Sequence, residues 1–191
     1  MLAERIIRAF TFRRQVYAEV ERDTAFTLTA LLLVAAIAFL NQLGIHASTQ
    51  VLSWLGSAIV GTIWSVISFA IAAYIMSWMG RSLFGAGVTF GKLVRTLGLA
   101  YVWSIVVVIG VVAGLSTALS WLLAPALVVG WVMLVLSWFV AAKEALDLGV
   151  VQTIVTVALG WLVFGLIMAV GSWVLNLIGW TAAGVWSMFG F

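Results

Sequence analysis

The residues able to do chemistry are few and widely separated. The one histidine, His46, lies between Gln42 and Gln50 with no carboxylate nearby. A neutral imidazole there could contact a metal or pigment, but one ligand does not make a zinc centre. His46 is therefore read as a polar loop residue and as the single candidate ligand contact. The chain has no cysteine, which removes disulfides, thiolate catalysis and iron–sulfur ligation together. Gly85-Ala-Gly87-Val-Thr-Phe-Gly91 resembles a phosphate loop only in composition; it lacks the spacing and the preceding strand, and reads as a turn. Four charged residues have positions that could bring them together: Lys92 and Arg95, and Glu144 and Asp147.

The elements that must position these residues are apolar. Of 191 residues, 65% are hydrophobic and 8% charged, with a mean hydropathy of +1.27, whereas about a quarter of a soluble domain is charged. Uncharged runs extend from Thr24 to Gly80, Thr96 to Ala142 and Leu148 to Phe191. About 20 apolar residues cross a bilayer as a helix. The runs divide into spans at Thr24 to Leu43, Val51 to Met79, Tyr101 to Leu119, Trp121 to Ala142 and Thr153 to Val174. Ser116, Thr117, Ser120 and Pro125, the only proline, are expected to make the turn between the third and fourth. The expected fold is an all-α polytopic membrane bundle of five transmembrane helices. Its parts are an amphipathic interfacial leader at 1–23, a membrane domain at 24–174 and an apolar outer-face tail at 175–191.

Charge placement sets the expected orientation. All nine basic and all six acidic residues fall in the leader, between spans two and three, or between spans four and five. Cytoplasmic ends are rich in Lys and Arg, so the N-terminus is expected in the cytoplasm and the C-terminus outside. The first span, at about 20 residues, exceeds a signal h-region of roughly 7–15 and is expected to stay attached. The net charge of +3 reports orientation, and no nucleic acid is expected. The leader reads as a helix broken near Thr11-Phe12, lying in the headgroup plane. Thr89 is expected to cap a short interfacial helix with Phe90, Leu93, Val94 and Leu97 on one face and Lys92 and Arg95 in water. An up-and-down bundle returns Lys92, Arg95, Glu144 and Asp147 to one surface, where Arg95 is expected to pair with Asp147 or Glu144.

No Asp or Glu lies within a span, which argues against intramembrane proteolysis and ion-coupled transport. No catalytic residue, metal or cofactor is expected, and the protein reads as non-enzymatic. Small residues four apart, Ser57/Gly61, Gly110/Gly114 and Gly165/Ala169, are candidate helix-packing positions. Of 11 tryptophans, Trp54, Trp78, Trp103, Trp121, Trp138 and Trp173 fall near span ends, as an interfacial belt would. Trp64, Trp131 and Trp161 fall deeper, suited to bundle packing or to a pigment or quinone. The leading functional reading is a scaffold, assembly or accessory subunit. Such a subunit would bind other membrane proteins, or itself, within the lipid bilayer. The alternatives are passage of lipid or neutral solute with membrane remodelling, and a pigment- or quinone-contacting subunit of a larger complex.

Three stretches carry a family resemblance: Ile7-Arg-Ala-Phe-Thr-Phe-Arg-Arg-Gln-Val-Tyr17-Ala-Glu-Val-Glu-Arg-Asp23, Thr89-Phe-Gly-Lys-Leu-Val-Arg95-Thr-Leu-Gly98-Leu-Ala-Tyr101, and Trp138-Phe-Val-Ala-Ala-Lys143-Glu-Ala-Leu-Asp147. In order and spacing the chain resembles the prokaryotic branch of the Ypt/Rab-interacting (YIP) domain membrane proteins. The resemblance implies a five-helix integral membrane domain with a cytoplasmic N-terminus, in the inner (plasma) membrane of a prokaryote. Eukaryotic members are implicated in vesicle trafficking with Rab-type GTPases. This chain lacks their Asp-Leu-Tyr-Gly-Pro motif and has Val102-Trp103 where relatives commonly place a proline. A Rab-type GTPase is not expected as its partner.

Overall fold

The structure is a computed structural model that describes residues 2–45, 51–109 and 117–188; the side chains of 45, 52–53, 117–120, 175–176 and 178–188 lie outside the description. Among the described residues every regular element is a helix. The elements are α1 (Leu2–Phe10), α2 (Arg14–Arg22), α3 (Phe26–Ile45), α4 (Val51–Phe84), α5 (Phe90–Ala100), the 3-10 helix η1 (Tyr101–Ile109), α6 (Thr117–Leu146) and α7 (Val150–Met188). Five spans are long and apolar enough to cross a membrane: Phe26–Gly44, Trp54–Phe84, Phe90–Ile109, Trp121–Leu146 and Val150–Val174.

The third span departs most from expectation. It begins at Phe90 rather than Tyr101, and its first half is the helix expected to lie at the interface. Thr89 does cap that helix, its Oγ1 accepting from the Lys92 N–H at 3.3 Å. Beyond the cap, every residue from Leu93 to Ala100 is buried. The span is 61% buried, against 22% for each of the last two, so it is the centre of the bundle. Residues Ile105 to Ile109 are all β-branched, which crowds an α-helical turn, and here the chain tightens to a nine-residue 3-10 helix. With a rise of about 2.0 Å per residue there and 1.5 Å in α5, the span reaches about 34 Å with only 20 residues.

Around this span stand α3, α4 and α6, with α3 against both α4 and η1, while α7 packs outside along α4 and against α6. Gly85, in the left-handed region at φ +67°, ends α4, and the Ala86 N–H returns to the Gly80 carbonyl at 2.8 Å. Pro125 lies inside α6. Thr117 and Ser120 are helical too, so these three do not make the expected turn, and Ser116 lies outside the described residues. A spanning helix tolerates proline because its neighbours re-satisfy the freed carbonyl. The tail from 175 continues α7 to Met188. At 39 residues this helix is about 58 Å long, well beyond the hydrocarbon thickness of about 30 Å.

The leader folds as two helices, broken as expected where Phe12 takes a positive φ of 52° and stacks on Trp103 at 5.3 Å. Its apolar face is covered by protein: Val16, Tyr17 and Val20 are fully buried, and the Tyr17 hydroxyl meets Ser137 Oγ at 3.0 Å. Burial pushes the Tyr17 phenol above its ordinary range, and the Ser137 hydrogen bond opposes this.

Ion pairs hold the leader together: Arg5 to Asp23 at 2.9 Å, and Arg8 to both oxygens of Glu19 at 2.9 and 2.6 Å. The hydrogen bond from Arg8 lowers the Glu19 carboxyl below its ordinary value of 4.5. It also raises the Arg8 guanidinium. A depressed folded-state carboxyl contributes stability above its unfolded pKa and loses it as pH falls through the folded value. Amide exchange of α1, corrected for intrinsic rates, should therefore lose protection as pH drops below 4.5. Glu19→Gln should show the low protection already at neutral pH. Equal protection in both proteins across the titration would show that the pair does not hold α1.

Candidate functional site

The expected charged cluster forms only in part. Lys92, Glu144 and Asp147 line one groove of about 380 Å³ with Glu21 and Arg22. Within it Lys92 pairs with Glu21 at 2.8 Å. Arg95 does not pair with Glu144 or Asp147. It is 7% exposed and points back under the leader, where Nε and Nη2 donate to the Glu21 carbonyl at 3.1 and 2.5 Å. Nη1 donates to Thr27 Oγ1 at 3.1 Å. The guanidinium thus caps the C-terminus of α2, where a cation meets the negative end of the helix dipole. The pairing reading failed because it considered carboxylates and overlooked a helix end. Asp147 has its own local role, closing α6 at φ 50°.

The packing candidates divide similarly. Gly61 is buried, and a Cβ there would lie 2.5 Å from Gln42 Oε1. Ser57, Gly165 and Ala169 are exposed on the outer surface, and among the described residues nothing lies within 4 Å of a Cβ at Gly165. Gly110, Gly114 and His46 lie outside the described residues. Besides Gly61, other glycines let helices approach: Gly44 on Val107, Gly98 on Ala30, Gly130 on Val106, Gly160 on Met76 and Gly171 on Trp64. Gly160 and Gly171 are eleven residues apart, three turns of one helix face, and that spacing was the available signal.

At membrane depth the helices line a partly open, mostly apolar cavity of about 210 Å³ with a polar edge. The Asn41 Nδ2 donates to Ser104 Oγ at 3.0 Å, and Ser104 donates to the Tyr101 carbonyl at 2.8 Å. The Gln42 Nε2 donates to Ser65 Oγ at 3.1 Å, and Ser65 donates to the Gly61 carbonyl at 2.8 Å. Opposite these amides stand Trp131, Trp138, Trp161, Phe164 and Met168. Ring centroids are 5.5 Å apart for Trp131 and Trp161 and 5.2 Å for Trp138 and Trp161. Trp138, expected in the interfacial belt, is instead 1% exposed and part of this wall, whereas Trp121 at 78% and Trp173 at 64% do face outward. Of the deeper indoles, Trp64 donates to the Ile167 carbonyl at 2.7 Å.

Three polar atoms of the cavity residues are buried without a partner: Asn41 Oδ1, Trp138 Nε1 and Trp161 Nε1. Among the described residues no Asp, Glu, Lys, Arg or His lines the space. Among the described residues no group of three His, Cys, Asp or Glu could hold a metal. Asn41, Trp138 and Trp161 thus bring two N–H donors and a carbonyl acceptor to the set of residues that line this space.

The five apolar spans around this cavity define a polytopic helical membrane protein. No family model matches the chain, nor does any curated protein or solved structure.

Proposed function

We propose that this is a non-enzymatic integral membrane protein that binds an uncharged, ring-bearing small molecule in the Asn41–Trp138–Trp161 cavity. The observation that carries the reading is the set of three buried, unpartnered polar atoms around one space. With no water in the hydrocarbon, each such group costs several kcal/mol, and a bound hydroxyl or carbonyl offsets that cost. A hydroxyl matches this chemistry, since its oxygen accepts from an indole N–H while its proton goes to a carbonyl such as Asn41 Oδ1. A cavity of about 150 Å³ accommodates benzene, so this volume suits one substituted ring.

The test is equilibrium binding of 1,4-hydroquinone to the purified protein in nanodiscs. Trp138→Phe, which keeps a ring and removes the N–H, should weaken binding about ten-fold, as should Asn41→Leu. Binding unchanged in both variants, or absent from the wild type, would overturn the reading.

An accessory role with other membrane proteins, or with a second copy, is the second reading. It is supported by the lipid-side small residues Ser57, Gly165 and Ala169, which have no use inside the bundle. A cytoplasmic N-terminus in a prokaryotic plasma membrane belongs to the same proposal, supported by the basic residues in the leader and in the connections after α4 and α6. Kinship with YIP-domain proteins is likewise part of it and rests on the three stretches that carry the resemblance.

A further inference from the structure

We infer that the ligand is an amphiphile, its ring in the cavity beside Asn41 and its apolar chain in the groove between α6 and α7. This rests on the ligand-binding reading above. The groove measures about 600 Å³ and is lined by Val135, Leu136, Phe139, Ile154 and Ala158 among others, with no polar side chain except two indoles. Those indoles, Trp131 and Trp161, also line the cavity. Cavity and groove therefore share a wall, an edge-to-face pair of rings with an interplanar angle of 63°.

The position on the spans gives the groove its meaning. Trp131 and Trp161 sit near the middle of Trp121–Leu146 and Val150–Val174, so the shared wall lies near the bilayer midplane. From there the groove follows α6 to Phe139 and α7 back to Val150, a length of about 12–16 Å along the helices. Leu136 and Ile154 in the groove are exposed on the outer surface of the helices, the side that meets lipid. A molecule already dissolved in lipid can enter laterally with its chain still in apolar surroundings and its ring turned inward to the Trp138 and Trp161 N–H groups and the Asn41 amide. Van der Waals packing against the groove walls, rather than a hydrophobic gain, holds the chain there, because lipid tails are as apolar as Leu. The groove therefore guides the chain, and the three polar atoms hold the head.

Two probes test this in nanodiscs, 1,4-hydroquinone and 2-farnesyl-1,4-hydroquinone. Ala158 is exposed on the groove, and Ala158→Trp would fill it. That substitution should weaken the farnesylated probe about ten-fold and leave the tailless one within about two-fold. A diazirine at the farnesyl terminus should label Val135, Phe139 or Ile154. Equal affinity of the farnesylated probe for both proteins, or label away from these residues, would overturn the lateral path while the head site stands. Equal weakening of both probes would overturn it too, since the substitution would then act on the head cavity alone. If neither probe binds the wild type, or Trp138→Phe changes neither, the ligand-binding reading itself fails. Farnesol carrying the same terminal diazirine and labelling the groove as efficiently as the farnesylated probe would overturn the proposal, leaving the groove a bed for any lipid chain.

Discussion

Arg95→Ala should lower the thermal stability of the detergent-solubilised protein by about 1.5–3 kcal/mol, the range for a hydrogen bond to a charged group. The three bonds that Arg95 makes share one guanidinium and do not add. Removing them uncaps α2 and detaches its last turn from α3, because Glu21 supplies the carbonyl and Thr27 the hydroxyl. Lysine should recover only part of the loss, since an ammonium lacks the planar fork that reaches both acceptors. Arg95→Glu should be worse than alanine, placing a carboxylate against the negative end of α2 and beside Glu21. Asp147→Arg should not rescue it, because Asp147 is exposed and Arg95 makes no contact with it. Rescue, read as recovered melting temperature and monodisperse yield, would move the guanidinium to the opposite side of the groove.

Gly98→Leu should prevent assembly of the bundle, and Gly98→Ala should destabilise it by about 1–3 kcal/mol through overpacking. A Cβ at Gly98 would stand 3.0 Å from Ala30 Cβ and 3.2 Å from the Ala30 carbonyl oxygen, and backbone cannot rotate aside as a long side chain can. The position also lies three residues after Arg95, as Ala30 lies three after Thr27. The same register therefore joins the helix contact to the Arg95–Thr27 bond, and separating one loosens the other. Gly165→Leu is the matched control: among the described residues nothing stands within 4 Å of its Cβ position, and it should leave folded yield unchanged. If Gly98→Leu and Gly165→Leu behave alike, α3 and α5 do not meet at Gly98.

Hydropathy alone determined the number of spans, because the length needed to cross hydrocarbon is a one-dimensional property of the chain. Charge placement determined that one end of the bundle carries the polar chemistry, and the break at Thr11-Phe12 and the Thr89 cap were legible because turns and caps are local. Which face of each span turns inward was not legible. In water the buried face is apolar and the other polar, whereas in lipid both faces are apolar, so Ser57, Gly165 and Ala169 looked as well suited to packing as Gly98 or Gly160. For the same reason Trp138 and Trp121 were indistinguishable as belt residues, although one is 1% exposed and the other 78%. Only the tertiary structure decided that the Lys92–Arg95 helix is the buried centre, because a helix end belonging to α2 accepts the guanidinium and removes its need for water. The cavity is likewise a product of tertiary structure: Asn41, Ser104, Trp138 and Trp161 come from four different spans, and no spacing along the chain records their meeting.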